Sequence, residues 1–353
     1  MKFRLILASE LDQGLVSQWE GLRACSAMYD SPYYHPAFTR IVARARSDAR
    51  ILLCEDAGRQ LGIWPFHALD SRHSVSIGDF LADYQGPIGE PSIDWSRAEV
   101  LRAMGSRYFS YNHVPAGMSE FNKNAWTHSQ SPFLDLQGGF DAYAQRLSEQ
   151  REASLLKKVA TNERKLSKKM GELRFELQST ADADYLALLA GKSEQFQRTV
   201  GAEHDIFKLA WVRQVVDDIR ASREEEFAGV LSSLYAGDTL IAAHFGMRSK
   251  NVLHYWFPWY STDYAEFSPG LILLAQCAKN VGQFGVTSID LGRGDQAYKL
   301  RFATGAHALC EGAISSPAWL RDMQAGLYHG KRLLKQSALG QYLRGLRHAG
   351  KPK

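Results

Sequence analysis

Apolar positions in the first part of the chain follow two periods, one typical of strands and one typical of helices. Alternating apolar residues predict strands at 3–7, 50–54 and 60–69. Apolar residues spaced three and four apart predict helices at 11–28, 36–45 and 97–104. Two stretches are rich in turn formers and are predicted as loops, at 74–91 and 112–132. Strands and helices therefore alternate, which predicts an α/β or α+β fold.

The same order returns after a long polar, helix-prone stretch at 140–170. A strand, two helices and a hairpin are predicted at 173–177, 182–198, 206–219 and 228–248. The hairpin turn 57–63 aligns with the turn 236–242, 179 residues further on, and the helices before both turns match as well. Chains of this class often resemble themselves by chance. The alternative is a duplication, with domains at 1–150 and 151–320 and a basic amphipathic tail at 321–353.

Charge is distributed unevenly along a chain of ordinary globular composition. The net charge of +4 is too small to indicate a DNA-binding protein. The stretches 151–169 and 321–353 carry net charges of +5 and +7, so the remainder is acidic. The basic helix at 151–169 is a solvated face, or it contacts lipid, phosphorylated sugar or tRNA.

The bulk features favour a cytoplasmic protein. Its four cysteines (Cys25, Cys54, Cys277 and Cys310) are far apart, which argues against a zinc site and a disulfide scaffold. The apolar part of the first ten residues is too short for a signal peptide, and no apolar run approaches the about 18 residues that span a bilayer. The basic tail, with Leu339, Tyr342, Leu343 and Leu346, suits peripheral contact with the inner membrane. A tail helix docked on the body is the alternative.

The sharpest local signal lies at 267–271, where a loop meets a long apolar run. Ser268 suits a helix N-cap, Pro269 suits the first turn, and Gly270 permits close approach to the backbone. The apolar run predicts a buried helix that ends near Gly285. The free N–H groups at such a helix start suit a phosphate or pyrophosphate. An ordinary capped core helix is the alternative.

Several motifs then follow in a specific order: Asp263-Tyr264, the helix start at 267–271, the stretch 289–295, Tyr298-Lys299 and Phe302. This order resembles the CelD/BcsL family of GNAT-type acyltransferases, which is associated with bacterial cellulose and exopolysaccharide synthesis. That family is related to the FemAB peptidyltransferases, which contain two GNAT folds in tandem. The resemblance covers 155–302 and, more loosely, the first half through Trp64-Pro65-Phe66 and Asp83-Tyr84. It implies a tandem double GNAT fold, with two mixed sheets flanked by helices.

The resemblance also implies a donor and an acceptor. The donor would be acyl-CoA, most simply acetyl-CoA, with its pyrophosphate at Phe267, Ser268, Pro269, Gly270 and Leu271, and no metal would be needed. The glycine-rich signature of single-domain GNAT enzymes is missing, so an aminoacyl-tRNA donor, as in the FemAB relatives, is an alternative. The acceptor would be a sugar of an exopolysaccharide or a lipid-linked glycan precursor. A non-catalytic GNAT scaffold in polysaccharide assembly is a third hypothesis.

Four residues are the leading candidates for the chemistry, and His254 is a further one. Asp290, at a strand end, could act as a general base, orient the acceptor or cap the following glycine turn. Tyr298 could protonate the leaving thiolate, and Lys299 could neutralise a phosphate or an oxyanion; packing and surface roles are their alternatives. His244, on a central strand, could be a general base or a satisfied core histidine, and His254 has the same two interpretations.

The candidates for substrate contact come from both halves: Asp83, Tyr84, Tyr255, Trp259, Asp263, Tyr264 and Arg293. Tyr255 and Trp259 could form a wall for an acyl chain or a sugar ring, although core packing explains them equally well. Asp83 and Tyr84 would reach the acceptor if the two halves face each other across a cleft. Arg293 could instead pair with Asp295 across its turn. No nucleophile motif such as Gly-x-Ser-x-Gly occurs, which favours direct transfer over a covalent intermediate.

Overall fold

The computed structural model describes residues 1–90, 96–149 and 153–336. The strands in these ranges are β1 (Lys2–Leu7), β2 (Ala49–Asp56), β3 (Arg59–Ala68), β4 (His73–Ser76), β5 (Ile88–Gly89), β6 (Tyr108–Pro115), β7 (Ala125–Asp135), β8 (Leu173–Glu176), β9 (Arg223–Glu224), β10 (Phe227–Ala236), β11 (Thr239–Ser249), β12 (Val252–Tyr260), β13 (Ser288–Asp290) and β14 (Gly305–Ser315). The helices are α1 (Gln13–Arg23), α2 (Pro36–Ala45), α3 (Arg97–Ala103), α4 (Ser119–Lys123), α5 (Gly139–Leu147), α6 (Ala153–Met170), α7 (Asp182–Thr199), α8 (Ala210–Ala221), α9 (Pro269–Asn280), α10 (Ala297–Phe302) and α11 (Trp319–Gln336). Within those ranges, no helix combines the length and the apolar character needed to cross a membrane.

The order of elements is the same in the two halves. Two helices, a hairpin, a strand, a helix and a strand occur first as α1, α2, β2–β3, β4, α3 and β6, and again as α7, α8, β10–β11, β12, α9 and β13. Each half contains one parallel strand pair, β4 with β6 and β12 with β13. The remaining neighbours in the sheet are antiparallel, so each half has the same mixed sheet.

The last strand of each half lies in the sheet of the other half. β7 pairs with β13, whereas β14 pairs with β6, and β7 and β14 also pair with each other. This exchange joins the two expected sheets edge to edge into a single sheet of fourteen strands. A residue on β7 is therefore close to the end of β13, although more than 150 positions separate them in the chain. The predicted domains 1–150 and 151–320 follow the repeat along the chain, and they do not account for the exchange of β7 and β14.

The region 112–132 differs from the loop predicted for it. It contains the end of β6, the helix α4 and most of β7. The polar residues of β7 that suggested turns alternate along a strand, and its ladder partner is β14, which follows far later in the chain. Pairing with a distant strand overrides local propensity here.

Helices α7 and α9 lie on opposite faces of the sheet. Tyr185 and Leu188 of α7 belong to an apolar cluster with Phe245 and Phe257. Helix α9 belongs to a second cluster, with Leu253 and Tyr255 of β12. Burial of each Leu, Ile or Phe side chain in these clusters contributes roughly 1.5–3 kcal/mol before entropic costs. Any opening in the sheet between β12 and β13 would therefore connect the α7 side with the α9 side.

Candidate functional site

Strands β12 and β13 separate after only three residue pairs. Leu253 pairs with Ile289 and His254 with Asp290, and β12 then continues to Tyr260 while β13 ends. A bulge lies at the point of separation, because Tyr255 and Trp256 together oppose the single residue Gly246 of β11. A side chain at Gly246 would overlap the His254 carbonyl oxygen, which explains the glycine. Beyond the bulge, no strand within the described ranges pairs with the backbone of β12 on the β13 side.

A cavity of about 520 Å³ opens where the two strands separate. Its walls come from α7, β12, the start of α9 and α10. The residues named from the sequence that line it are Tyr255, Trp259, Gly270, Leu271, Tyr298 and Lys299. The structure thus brings the start of α9 and the Tyr298-Lys299 pair to one cavity, as direct transfer would require.

The start of α9 has the position predicted for it but a different cap geometry. Ser268 adopts a left-handed conformation, with φ of 54°, and its side chain makes no capping hydrogen bond. Its carbonyl oxygen accepts the N–H groups of Leu271 and Ile272 at 3.0 and 3.3 Å. Gly270 lies against Tyr260, and a Cβ atom there would be 3.2 Å from the ring. Gly270 and Leu271 line the cavity, whereas Phe267 and Pro269 are buried.

Helix α10 presents Tyr298 and Lys299 to the cavity. Burial raises the pKa of Tyr298 to about 12, so its phenol keeps a proton at neutral pH and can donate it. The Lys299 ammonium donates to the carbonyl oxygens of Gly292 and Arg293, at 3.1 and 3.0 Å. Burial lowers the pKa of Lys299, and the charges of Asp83 and Asp290 oppose that shift. Two fixed carbonyls thus hold a cation at the cavity wall.

Aromatic residues of β12 form the other walls. The indole of Trp259 lies against the backbone of α7 at Gly191, where any Cβ atom would overlap Trp259 Nε1. Tyr255 stacks on His244, with ring centroids 3.8 Å apart and planes 4° apart. His244 is fully buried behind Tyr255 and does not line the cavity. Burial lowers its pKa well below the usual value, and neither ring nitrogen has a partner among the described residues. His244 is thus a neutral imidazole that the Tyr255 ring separates from the cavity.

A buried polar cluster lies next to the cavity and draws residues from both halves. His254 Nε2 is 2.9 Å from Asp83 Oδ2, and His254 Nδ1 is 3.4 Å from Asp290 Oδ1. The Tyr84 hydroxyl donates to Asp290 Oδ2 at 2.5 Å. His113 Nε2 lies 3.6 Å from Asp83 Oδ1. Asp83 and Tyr84 belong to residues 77–87, the β4 loop, so this first-half loop completes a second-half cluster.

Asp290 is the most constrained member of the buried polar cluster. Only 3% of it is exposed. Besides Tyr84, it accepts hydrogen bonds from the Ser131 hydroxyl and the Gly292 N–H, both at 2.7 Å. Burial raises the pKa of Asp290, but the hydrogen bonds and charge of His254 and the bonds from Tyr84 and Ser131 outweigh it and hold the pKa near 2. Such a carboxylate caps the glycine turn and orients its neighbours; it is a weak base.

His254 is the cation of the buried polar cluster. Burial lowers its pKa, but hydrogen bonds and charges from Asp290 and Asp83 dominate and raise the pKa to about 9. Burial also raises the pKa of Asp83, and the bond and charge of His254 bring it below its usual value. Burial lowers the pKa of His113 to about 4, so that ring is neutral. At neutral pH one imidazolium lies between two carboxylates, and the Lys299 ammonium is close by.

Three other sequence candidates lie outside the cavity and the buried polar cluster. Arg293 donates to the Asn112 carbonyl oxygen and to Glu311 Oε2, both at 3.2 Å, rather than pairing with Asp295. Asp263 and Tyr264 lie in the 3-10 helix Thr262–Phe267 and do not line the cavity, and Asp263 is exposed. Arg293 therefore ties the glycine turn to β6 and β14.

The structure adds residues that pattern reasoning left out. The sequence allows His254 to be a general base or a core histidine, and its contact with the β4 loop places it in the buried polar cluster. Ser131 reaches the same cluster through the strand exchange, and His113 reaches it through Asp83 of its own half; neither contact leaves a local signal. Lys192 of α7 lines the cavity, and no spacing distinguishes it from a surface lysine.

Comparison with known families agrees with this geometry. Residues 153–300, which include α6 to α9, β13 and most of α10, match the family model described as acetyltransferase (GNAT) domain. The second half therefore carries a GNAT acyltransferase domain, and the expected enzyme class is confirmed. The match covers less than half of the chain. No curated protein sequence matches the chain.

Solved structures share the whole fold at low sequence identity. The C-terminal domain of a proposed lysylphosphatidylglycerol synthetase from Agrobacterium fabrum is 15% identical, with a TM-score of 0.53, over 90% of this chain and 95% of that one. A tandem GNAT protein from the clavulanic acid biosynthesis pathway is 12% identical, with a TM-score of 0.51, over 89% and 98%. FemX is 8% identical, with a TM-score of 0.55, over 89% and 96%. The predicted tandem GNAT fold is confirmed.

Proposed function

We propose that this protein transfers an acyl group directly from acyl-CoA, most simply acetyl-CoA, to an amino or hydroxyl group of a sugar. One observation carries the proposal: the start of α9, Tyr298 and Lys299 line a single cavity between separating strands. A donor with its pyrophosphate at Gly270 and Leu271 would extend its thioester along the unpaired edge of β12. The Leu271 N–H already donates to the Ser268 carbonyl oxygen, so the Gly270 N–H and the positive end of the α9 dipole are the contacts that this helix start would offer a phosphate.

The residues of the cavity have complementary roles in this reaction. The acceptor nitrogen or oxygen attacks the thioester carbon, a new C–N or C–O bond forms, and the C–S bond breaks. The proton that the acceptor loses passes through solvent in the cavity to the departing thiolate, so CoA leaves as the thiol. Tyr298, protonated up to a pKa of about 12, donates a hydrogen bond to the departing sulfur. The Lys299 ammonium stabilises negative charge on the carbonyl oxygen or on a phosphate. The buried polar cluster fixes the glycine turn whose carbonyls hold Lys299.

The acceptor is proposed as a sugar of an exopolysaccharide or of its lipid-linked precursor. The order of motifs from Asp263 to Phe302 resembles the CelD/BcsL family and supports this finer assignment. The aromatic walls of the cavity, Tyr255, Trp256 and Trp259, offer apolar faces on which a sugar ring or an acyl chain can pack.

A CoA thiol-release assay tests the proposal, with acetyl-CoA as donor and nucleotide sugars as acceptors. We expect Lys299→Met and Tyr298→Phe to lower kcat by 100-fold or more, since each removes a group that acts on developing charge. Lys279→Met, on the exposed side of α9, is the matched control and should retain the wild-type rate. Unchanged rates in both cavity variants would refute the site.

An aminoacyl-tRNA donor is the second candidate, because one observation favours it. Six basic residues of α6 are exposed on the second half: Lys157, Lys158, Arg164, Lys165, Lys168 and Lys169. This candidate predicts transfer that depends on charged tRNA and is indifferent to acyl-CoA. The third hypothesis, a non-catalytic scaffold, predicts that no acyl-CoA raises the melting temperature of the protein.

Peripheral membrane contact through the tail is a further part of the proposal. Helix α11 docks through Arg321, which donates to the Asn124 and Ala125 carbonyl oxygens. Trp319, Met323 and Leu327, spaced four residues apart, remain exposed on another face. Leu339, Tyr342, Leu343 and Leu346 lie outside the described residues. The fraction of protein that cosediments with anionic vesicles should be lower for the double variant Trp319→Ser/Leu327→Ser than for the wild type. Neutral vesicles should bind both proteins weakly.

A further inference from the structure

The cavity has two ends, one on each face of the sheet. Gly270, Leu271 and Tyr298 form the α9 end, where the proposed function places the donor. Lys192, Gln195 and Arg198, spaced three residues apart along α7, form the other end. Trp256 and Trp259 of β12 pack against the cluster on the α7 face, so the opening passes through the sheet.

We propose that the α7 end of this cavity is a binding site for the phosphate of a phosphorylated acceptor, held by Lys192 and Arg198 of α7 and by Lys299 of α10. This inference rests on the proposed function, because it uses the assignment of the donor to the α9 end. It narrows the acceptor from a sugar to a sugar attached to a phosphate or diphosphate.

The lining at this end of the cavity carries more positive than negative charge. Lys192 donates a hydrogen bond to Gln195 Oε1 at 2.9 Å, and among the described residues neither Lys192 nor Arg198 forms an ion pair. Lys299 donates to two carbonyl oxygens, and the charges of Asp83 and Asp290 act on it from the buried polar cluster. Among the described residues of the lining, Glu194 is the single acid, against three cations, and both Glu194 and Arg198 are exposed. Burial disfavours the charged forms of Lys192 and Lys299, so an anion bound between them would stabilise both.

The electrostatic state of Lys192 agrees with this assignment. Burial, and then the charge of Lys299, lower the pKa of Lys192 to about 8. The other titratable or charged groups of the lining are Glu194, Arg198, Tyr255, Tyr260, Tyr298 and Lys299. An anion between Lys192 and Lys299 would remove their repulsion and raise that pKa. Three cationic side chains, one of them a guanidinium, match a phosphate better than a single carboxylate.

The position of the site separates the acceptor from the donor. Direct transfer needs the acceptor atom to approach the acyl carbon from one face of the thioester plane, without a clash with the bound CoA. A cavity that crosses the sheet provides this arrangement, with donor phosphates at α9 and the acceptor's phosphate at α7. A phosphate bound at α7 would therefore determine how far the attached sugar extends toward Tyr298.

Calorimetric titration of the full chain tests the site, with inorganic pyrophosphate as the probe and saturating CoA present. We expect Lys192→Met to raise the Kd for pyrophosphate about tenfold or more and Lys192→Arg to preserve binding. Lys208→Met, an exposed lysine of the same half outside the cavity, is the matched control. Affinity should also fall as pH rises through about 8 in the wild type and stay level in Lys192→Arg, since the guanidinium does not titrate.

Two further titrations identify the kind of molecule to which the phosphate is attached. UDP-N-acetylglucosamine represents a nucleotide-linked sugar, and farnesyl diphosphate represents a lipid-linked one. Binding of either that weakens in Lys192→Met supports the site, and the tighter of the two indicates the carrier. Pyrophosphate binding that CoA abolishes, together with weaker CoA binding in Lys192→Met, would assign the cations to the donor and overturn the inference.

The outcomes also distinguish this inference from the proposed function. CoA binding with pyrophosphate binding that does not depend on Lys192 overturns the inference alone. Pyrophosphate binding that depends on Lys192, in a protein that binds no acyl-CoA and releases no thiol, overturns the proposed function alone. Equal melting temperatures of wild type and Lys192→Met would show that the variant is folded.

Discussion

The two halves of this molecule have the same fold, but the opening between the parallel strands is closed in the first half and remains open in the second. In the first half, β4 and β6 pair through Ser74 and Phe109 and then separate, as β12 and β13 do in the second. The first opening is closed by Gln85 of the β4 loop, whose Oε1 accepts the Asn112 N–H at 2.9 Å. The second opening remains a cavity of about 520 Å³.

The difference shows how a duplicated fold can divide its roles. Gln85 accepts the Asn112 N–H, which a ligand or a neighbouring strand would otherwise accept. Three other residues of the same loop, Ile77, Leu81 and Tyr84, are buried in the core. The loop that closes the first half also sends Asp83 and Tyr84 into the buried polar cluster of the second. The first half thus contributes support, and the second half contributes the cavity.

The largest effect is expected from Asp290→Asn. An amide cannot accept all three hydrogen bonds from Tyr84, Ser131 and Gly292, and it leaves His254 with one carboxylate. Breaking a buried charge pair of this kind should lower the free energy of unfolding by about 4 kcal/mol. Urea denaturation measures it, and Asp238→Asn, in the exposed β10–β11 turn, is the control. A loss below about 1 kcal/mol would show that the buried polar cluster does not hold the halves together.

The pH dependence of stability should report His254. Its pKa is raised from 6.5 to about 9 on folding, so its contribution is complete below pH 6.5 and is lost as pH rises through 9. The free energy of unfolding of the wild type should fall by about 3 kcal/mol across this window. His254→Gln should show a much flatter profile, while the exposed His204→Gln should follow the wild type. Parallel profiles in wild type and His254→Gln would contradict the buried cation.

A smaller effect is expected from Gln85→Ala in the first half. The change removes the acceptor of the Asn112 N–H and the donor to the Asp79 and Ala82 carbonyl oxygens, which are 2.9 and 3.3 Å from Gln85 Nε2. Unsatisfied groups in the core should cost about 2 kcal/mol of unfolding free energy. The Kd for acyl-CoA should change less than twofold, with Gln130→Ala as a surface control. A large loss of donor affinity would place the donor against the first half.

The smallest effect is expected from Gly191→Ala, which forces Trp259 away from α7 and into the cavity. Substrate affinity should fall about tenfold, which corresponds to about 1.4 kcal/mol. The matched change Gly21→Ala lies on α1, the corresponding helix of the first half, where a Cβ atom meets nothing within 4 Å. That variant should retain full affinity and gain slightly in helix stability. Titration of both variants with acetyl-CoA and pyrophosphate compares the two helices directly, and equal affinities would exclude Trp259 from the site.

Much of the fold could be predicted from local patterns. The helix at 36–45, the strand at 173–177 and the two hairpins with their glycine turns have the elements and nearly the bounds expected for them. These elements are set by short-range physics: apolar period, caps and turn residues. The order of elements then repeats, which predicted a duplicated α/β fold before any contact was visible.

The site was predictable only where its residues lie close along the chain. The start of α9, the strand end at Asp290 and the pair Tyr298-Lys299 lie within about thirty residues of one another, so their order carries a family signal. The sequence suggested Asp83 and Tyr84 but not their partners. Their contacts with His254 and Asp290 depend on a loop that crosses between the halves.

Tertiary structure alone decided three features: the exchange of β7 and β14, the closed opening of the first half and the charge of His254. The exchange and the charge of His254 depend on groups that meet across more than 100 residues, and the contact of Gln85 with Asn112 joins two elements of the first half; no local period encodes any of these meetings. Burial then changes the chemistry of those groups, because the charge of a histidine depends on its neighbours and its solvent access. The sequence alone thus determined which elements form and repeat, and packing decided which of the two equivalent openings became a site.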